Sequence, residues 1–155
     1  MPIPKGVGIF SLTEKFFCVI IYAQYVLGGV PVKSFEEYIA DFLEGVAATV
    51  NVDYVRRESV KKSNKGVDLY RKSATAIDKY YPGRLWEFAK LMENDLPKVS
   101  LCCAISLLEL TGHYSDKEEA QALEIITHKM EKCDDAEKYG WSVWLQKYKN
   151  RKQAL

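Results

Sequence analysis

Two histidines and four cysteines in 155 residues leave little from which to build a metal or acid–base centre. The cysteines, Cys18, Cys102, Cys103 and Cys133, sit in apolar or helical runs and not in a turn-rich framework. That favours reduced thiols in a cytoplasmic protein over a disulfide scaffold. Net charge is almost absent as well: a formal +1 gives no global attraction to nucleic acid or membrane, so any such attraction must come from a local cluster. The one segment that invites a membrane reading, FFCVIIYAQYVL from Phe16 to Leu27, falls short of the roughly 20 residues a spanning helix needs, and Gln24 interrupts it. Glu14 before it, with no small-x-small site after it, argues against an export signal. It reads as a buried helix.

The apolar–polar alternation of strands is missing too, whereas helix signals recur throughout. Ser11 with Glu14, Ser34 with Glu37 and Ser115 with Glu118 have the spacing of a capping box, and Asp134 with Glu137 is similar. Gly28 and Gly29 stop the first helix. In the second, Phe35, Tyr38, Ile39, Phe42, Leu43, Val46 and Val50 share one face, with Glu36, Glu37, Asp41 and Glu44 away from it. Val67, Tyr70, Ala74, Ile77 and Tyr81 make a narrower seam, and Lys62-Ser63-Asn64-Lys65-Gly66 is expected to break or bend that helix before Pro82-Gly83 ends it. A short helix carries Leu85, Phe88, Ala89 and Met92. Val99 to Leu110 is apolar nearly all round, which marks a buried helix, with Gly112 as its stop. The next is expected to bury Ala120, Leu123, Ile126, Thr127 and Met130, and the last Trp141, Trp144, Leu145 and Tyr148. The expectation is a single all-α domain over residues 1–155, with about seven to eight helices in stacked antiparallel pairs.

Catalytic chemistry finds no purchase. Cys102 and Cys103 point about 100° apart on a helix, so they cannot share a metal, and a disulfide between neighbours would replace the helix with a strained turn. Small core side chains explain them. His113, after a helix end, suits a hydrogen bond to a terminal carbonyl, while His128 and Cys133 are spaced i, i+5, poor geometry for a shared metal. There is no G-x-S-x-G, no serine–histidine–aspartate context and no glycine-rich phosphate loop. In EEYIAD, Glu37 and Asp41 are one turn apart, as in helical magnesium-dependent nucleotide pyrophosphohydrolases, but that chemistry needs a second facing pair, and Glu118, Glu119 and Glu124 lack the spacing. No catalytic residue, metal or cofactor is assigned, and a non-enzymatic reading is favoured.

The functional lead is basic. Arg56, Arg57, Lys61, Lys62, Lys65, Arg71 and Lys72 stand against only Glu58 and Asp68, and the C-terminal tail adds Lys147, Lys149, Arg151 and Lys152. Arg57, Lys61 and Lys65 are successive turns of one helix and form at least part of a stripe. Such a stripe can grip phosphates, dock an acidic protein surface, pair with the acidic helix of a second copy in a homo-oligomer, or simply be a solvated face. Among nearby aromatics Tyr54, Tyr80 and Trp86 could stack bases, whereas Tyr70 and Tyr81 fit the buried seam.

NKGVDLYRKS (Asn64 to Ser73), LWEFAKLMENDLPKVSLCCAISLLEL (Leu85 to Leu110) and EEAQALEII (Glu118 to Ile126) resemble small bacterial HEAT-like helical-repeat families over roughly residues 64–126. The chain departs from their pattern at Ser100, where arginine is common, and at Cys103, where alanine is. The resemblance implies a right-handed stack of helical pairs and a protein-binding or, less often, nucleic-acid-binding role, in some families as an immunity or regulatory partner. The leading expectation is therefore a helical module for a partner protein with an acidic surface. The alternative is a nucleic-acid-binding or -processing protein using the basic cluster and tail; no membrane partner is expected.

Overall fold

Ser34 starts a helix as its spacing requires: its hydroxyl accepts the Glu37 N–H at 3.2 Å, and the Glu37 carboxylate accepts the Ser34 N–H at 2.7 Å. In the computed structural model, which describes residues 32–155, this is helix α1, Phe35–Ala47. Then come α2 (Arg57–Tyr80), α3 (Leu85–Ala89) between two short 3-10 turns (Pro82–Arg84 and Lys90–Glu93), α4 (Pro97–Leu110), α5 (Asp116–Lys132) and α6 (Asp135–Gln153). The described residues are all-α, and Ser34–Leu155 forms one compact unit. The Ser11–Glu14 box, the apolar run Phe16–Leu27, the Gly28-Gly29 stop and Cys18 lie outside the described residues.

α1 and α2 run antiparallel, with Phe35 meeting Tyr81 near one end and Phe42 meeting Tyr70 further along. They cross at two glycines. A Cβ on Gly45 would lie 2.6 Å from the Gly66 carbonyl oxygen and 2.7 Å from the Tyr70 nitrogen, and one on Gly66 would lie 2.6 Å from the Gly45 carbonyl oxygen. The expected break at Lys62–Gly66 is therefore corrected: α2 is continuous for 24 residues. Gly66 weakens the helix locally, but the backbone contact it permits with α1 outweighs that weakness.

The core gathers around Phe42, which meets Phe88 edge-to-face at 4.9 Å, and around Val46, Ile77, Leu85, Leu107 and Ile126, all essentially without solvent contact. Cys102 and Cys103 belong to it as free thiols; Cys103 donates to the Phe88 carbonyl at 3.3 Å, and burial pushes its thiol well above the ordinary range. The stripe of α1 is as expected from Phe35 to Val46, but Val50 falls beyond the helix end and is exposed.

Three further expectations are corrected. α4 ends because Thr111 turns extended (φ −121°, ψ 161°), its hydroxyl donating to the Leu107 carbonyl at 2.6 Å; Gly112 is not in the left-handed region. The Gly112 N–H and His113 Nδ1 instead meet the Asp78 carboxylate of α2, at 3.2 and 2.8 Å, so the partner of His113 is a side chain and not a helix-end carbonyl. On α5 the capping box at Ser115 forms, but the buried positions are Ala122 and Ile126, while Ala120 and Thr127 are exposed. α5 is covered by α4 on one side and α6 on another, which turns its buried face away from the simple stripe.

α6 opens where Asp134 caps Glu137 (2.8 Å) and leans on α5 through Tyr148. The Tyr148 hydroxyl donates to Glu119, which also takes Lys152 at 2.7 Å, and Trp144 stacks on the Tyr148 ring at 5.7 Å. Burial, reinforced by Glu119, raises the phenol above its ordinary range. No described helix is long and apolar enough to cross a membrane.

Gly45→Ala or Gly66→Ala must push α1 from α2 and should lower unfolding stability by ~2 kcal/mol or more in urea titrations. Gly140→Ala, whose Cβ would meet nothing within 4 Å, should be neutral or slightly stabilising. Equal effects at all three positions would exclude a glycine-dependent crossing.

Arg84 closes the other end of this layer, reaching Glu87 and Glu36 at 2.8 Å each and lying 3.9 Å from the Phe35 ring centre. Its hydrogen bonds hold both carboxyls below their ordinary value of 4.5. A depressed carboxylate contributes stability above its unfolded-state value and loses it as pH falls through the folded one. Stability should therefore drop as pH falls below 4.5, and Arg84→Met should flatten that acid limb; an unchanged slope would remove Arg84 from the account.

Candidate interaction surface

With α2 unbroken, the basic cluster acquires a geometry. Arg57, Lys61, Lys65 and Lys72 fall on one exposed face, opposite the buried side that carries Gly66, Ser73 and Ile77. From Arg57 to Lys72 the row spans about 22 Å of helix. Asp68 lies within it and Glu58 at its edge, one turn before Lys61, and Lys79 extends it by two further turns. Among the described residues no carboxylate pairs with Arg57, Lys61, Lys65 or Lys72.

Three of the seven cluster residues stand apart from this row. Arg56 is the N-cap of α2 and pairs with Asp53 at 3.3 Å. Arg71 turns toward α4 and holds Glu109 at 2.9 Å, so its charge ties helices together. Lys62 is exposed but sits off the stripe, on the side nearer the α1 crossing. The tail divides: Lys152 is engaged by Glu119, Lys147 and Arg151 lie one turn apart on an exposed face of α6, and Lys149 projects to another side.

Apolar side chains sit at both ends of the row. At the α2 N-terminus the connecting loop, turned at Asn51 (φ 56°), presents Tyr54 and Val55, 83% and 94% exposed, immediately before Arg56 and Arg57. The loop is held in place, since the Asp53 N–H donates to the Ser59 hydroxyl at 2.9 Å and its carboxylate accepts the Val55 N–H at 3.0 Å. At the other end a shallow depression of about 350 Å³ is floored by Ala76, Leu110 and the half-exposed Tyr80 ring, and flanked by Lys72 and Lys79. The Tyr80 ring is fixed by stacking on Tyr38 with 6.4 Å between centres. Sequence reasoning missed this depression, because Leu110 reaches it from α4, 30 residues beyond Tyr80.

Other candidates separate in space. The carboxylate run at the start of α1 contributes Glu36 to Arg84, and among the described residues no three His, Cys, Asp or Glu side chains are grouped to hold a metal ion. His128 faces Glu131 at 3.7 Å on the exposed side of α5. No family model, curated protein or solved structure matches the chain, so its function is read from this geometry.

Proposed function

We propose that the chain is a non-enzymatic helical module that docks an acidic segment of a partner protein along α2, as an immunity or regulatory partner would. The observation that carries the reading is the row Arg57, Lys61, Lys65 and Lys72, paired with no carboxylate among the described residues and bordered by apolar contacts at both ends. Carboxylates on the partner would meet the row, and an apolar side chain would seat against Tyr80 and Leu110. Nucleic acid has less use for the apolar depression, and Asp68 in the row opposes phosphates. The antiparallel pair α1–α2, and α4–α5 joined by the turn 111–115, support reading the architecture as a HEAT-like stack, in which such pairs offer extended surfaces to proteins.

A fluorescein-labelled acidic peptide carrying one phenylalanine should bind with affinity that falls as salt rises. Arg57→Glu with Lys61→Glu should weaken it at least about tenfold, as expected from removing charge-assisted contacts. If the same pair of substitutions leaves the peptide unaffected and instead abolishes the shift of a labelled duplex or single strand, the protein-docking reading fails in favour of nucleic acid.

A further inference from the structure

Between α4, α5 and the start of α6 lies a cleft of about 770 Å³, within the size range of about 300–1,000 Å³ that encloses small organic ligands. Its walls are two helix faces. α4 supplies Lys98, Leu101, Cys102 and Ile105, and α5 supplies Ile125, His128, Lys129 and Lys132, each set at i, i+3, i+4, i+7. Trp141 of α6 forms a third wall, and Tyr70 reaches in from α2.

The chemistry of this lining divides in two. Leu101, Ile105, Ile125 and the indole of Trp141 offer an apolar bed to a hydrocarbon or aromatic body. The cations are Lys98, Lys129 and Lys132, and the lone carboxylate in the cleft, Glu137, is held by Lys129 at 3.1 Å. Lys98 and Lys132, one from each wall, have no carboxylate partner among the described residues. Both are solvent-exposed at the edge of the cleft, so an anionic head group gains attraction from two cations that an uncharged ligand forgoes, and a cationic one meets them as like charges.

We infer that this cleft is a binding site for a small amphipathic carboxylate, its apolar body lying on Leu101, Ile105, Ile125 and Trp141 and its anionic head between Lys98 and Lys132. The site is separate from the basic row of α2, so it stands or falls independently of the docking reading. The sequence conceals it because its two walls are set by facing stripes of helices whose mutual register no local pattern reveals.

Octanoate and 1-octanol, which share a tail and differ in the head group, test the charge requirement. In amide chemical-shift titrations of the full chain, octanoate should perturb Leu101, Ile105, Ile125 and the Trp141 indole and bind about tenfold tighter than octanol, the worth of one charge-assisted contact. Lys98→Gln with Lys132→Gln, both surface changes that should leave the unfolding temperature intact, should erase that preference. Ile105→Trp, which fills the bed, should abolish binding of either compound, whereas Arg57→Glu with Lys61→Glu should change neither. Equal affinity for the two compounds, an unaltered preference in the lysine variant, or shifts confined to another part of the chain would each overturn the inference.

Discussion

The backbone contact between Gly45 and Gly66 is the constraint on which the described fold depends. With no side chain at either position, α1 and α2 approach until carbonyl oxygen stands where a methyl group would otherwise lie. That close approach lets Phe42 reach across to Tyr70 and Phe88, and lets Ile77 and Ala74 of α2 face the same core as Leu107 of α4. Distance between two helices is set by the largest residue at their crossing, and here it is set by none.

The surface follows from the core. Because α2 is pinned at Gly66 and again through the Arg71–Glu109 and Asp78–His113 contacts to α4 and its following turn, its outer face cannot rotate freely. Arg57, Lys61, Lys65 and Lys72 are thereby held as a row instead of being scattered. The fixed helix spares a partner the cost of ordering the backbone, while the exposed lysine and arginine side chains are still ordered on contact. The cleft between α4 and α5 draws on the same principle, since its two walls are held by the buried residues behind them, among them Cys103, Leu107 and Ile126.

Much of this was legible locally. The boxes at Ser34 and Ser115 and the cap at Asp134 place three helix starts where the structure has them, because a cap is a contact between residues three apart. The burial of Cys102 and Cys103 and the alignment of Arg57, Lys61 and Lys65 likewise follow from helical periodicity, whereas Lys72 joins them only because the helix runs unbroken past Gly66. What local pattern misassigned was tertiary in origin. Gly66 looked like a breaker because its partner, Gly45, lies 21 residues earlier on another helix. The tie of Arg71 to α4 escaped local pattern because Glu109 is 38 residues away. The face of α5 was misjudged because two neighbours share it, and the depression beside Tyr80 and the α4–α5 cleft are made by helices that only packing brings together.

Everything proposed for the surface requires α2 to be one continuous helix, so that its cations act together. Amide hydrogen exchange resolved along residues 57–80 tests this most directly. Continuous protection through Lys62, Ser63, Asn64, Lys65 and Gly66, comparable to that at Ala74 and Ile77, is the expected result. Rapid exchange confined to Lys62–Gly66, with protection on either side, would mean two shorter helices joined by a mobile break, and would contradict it.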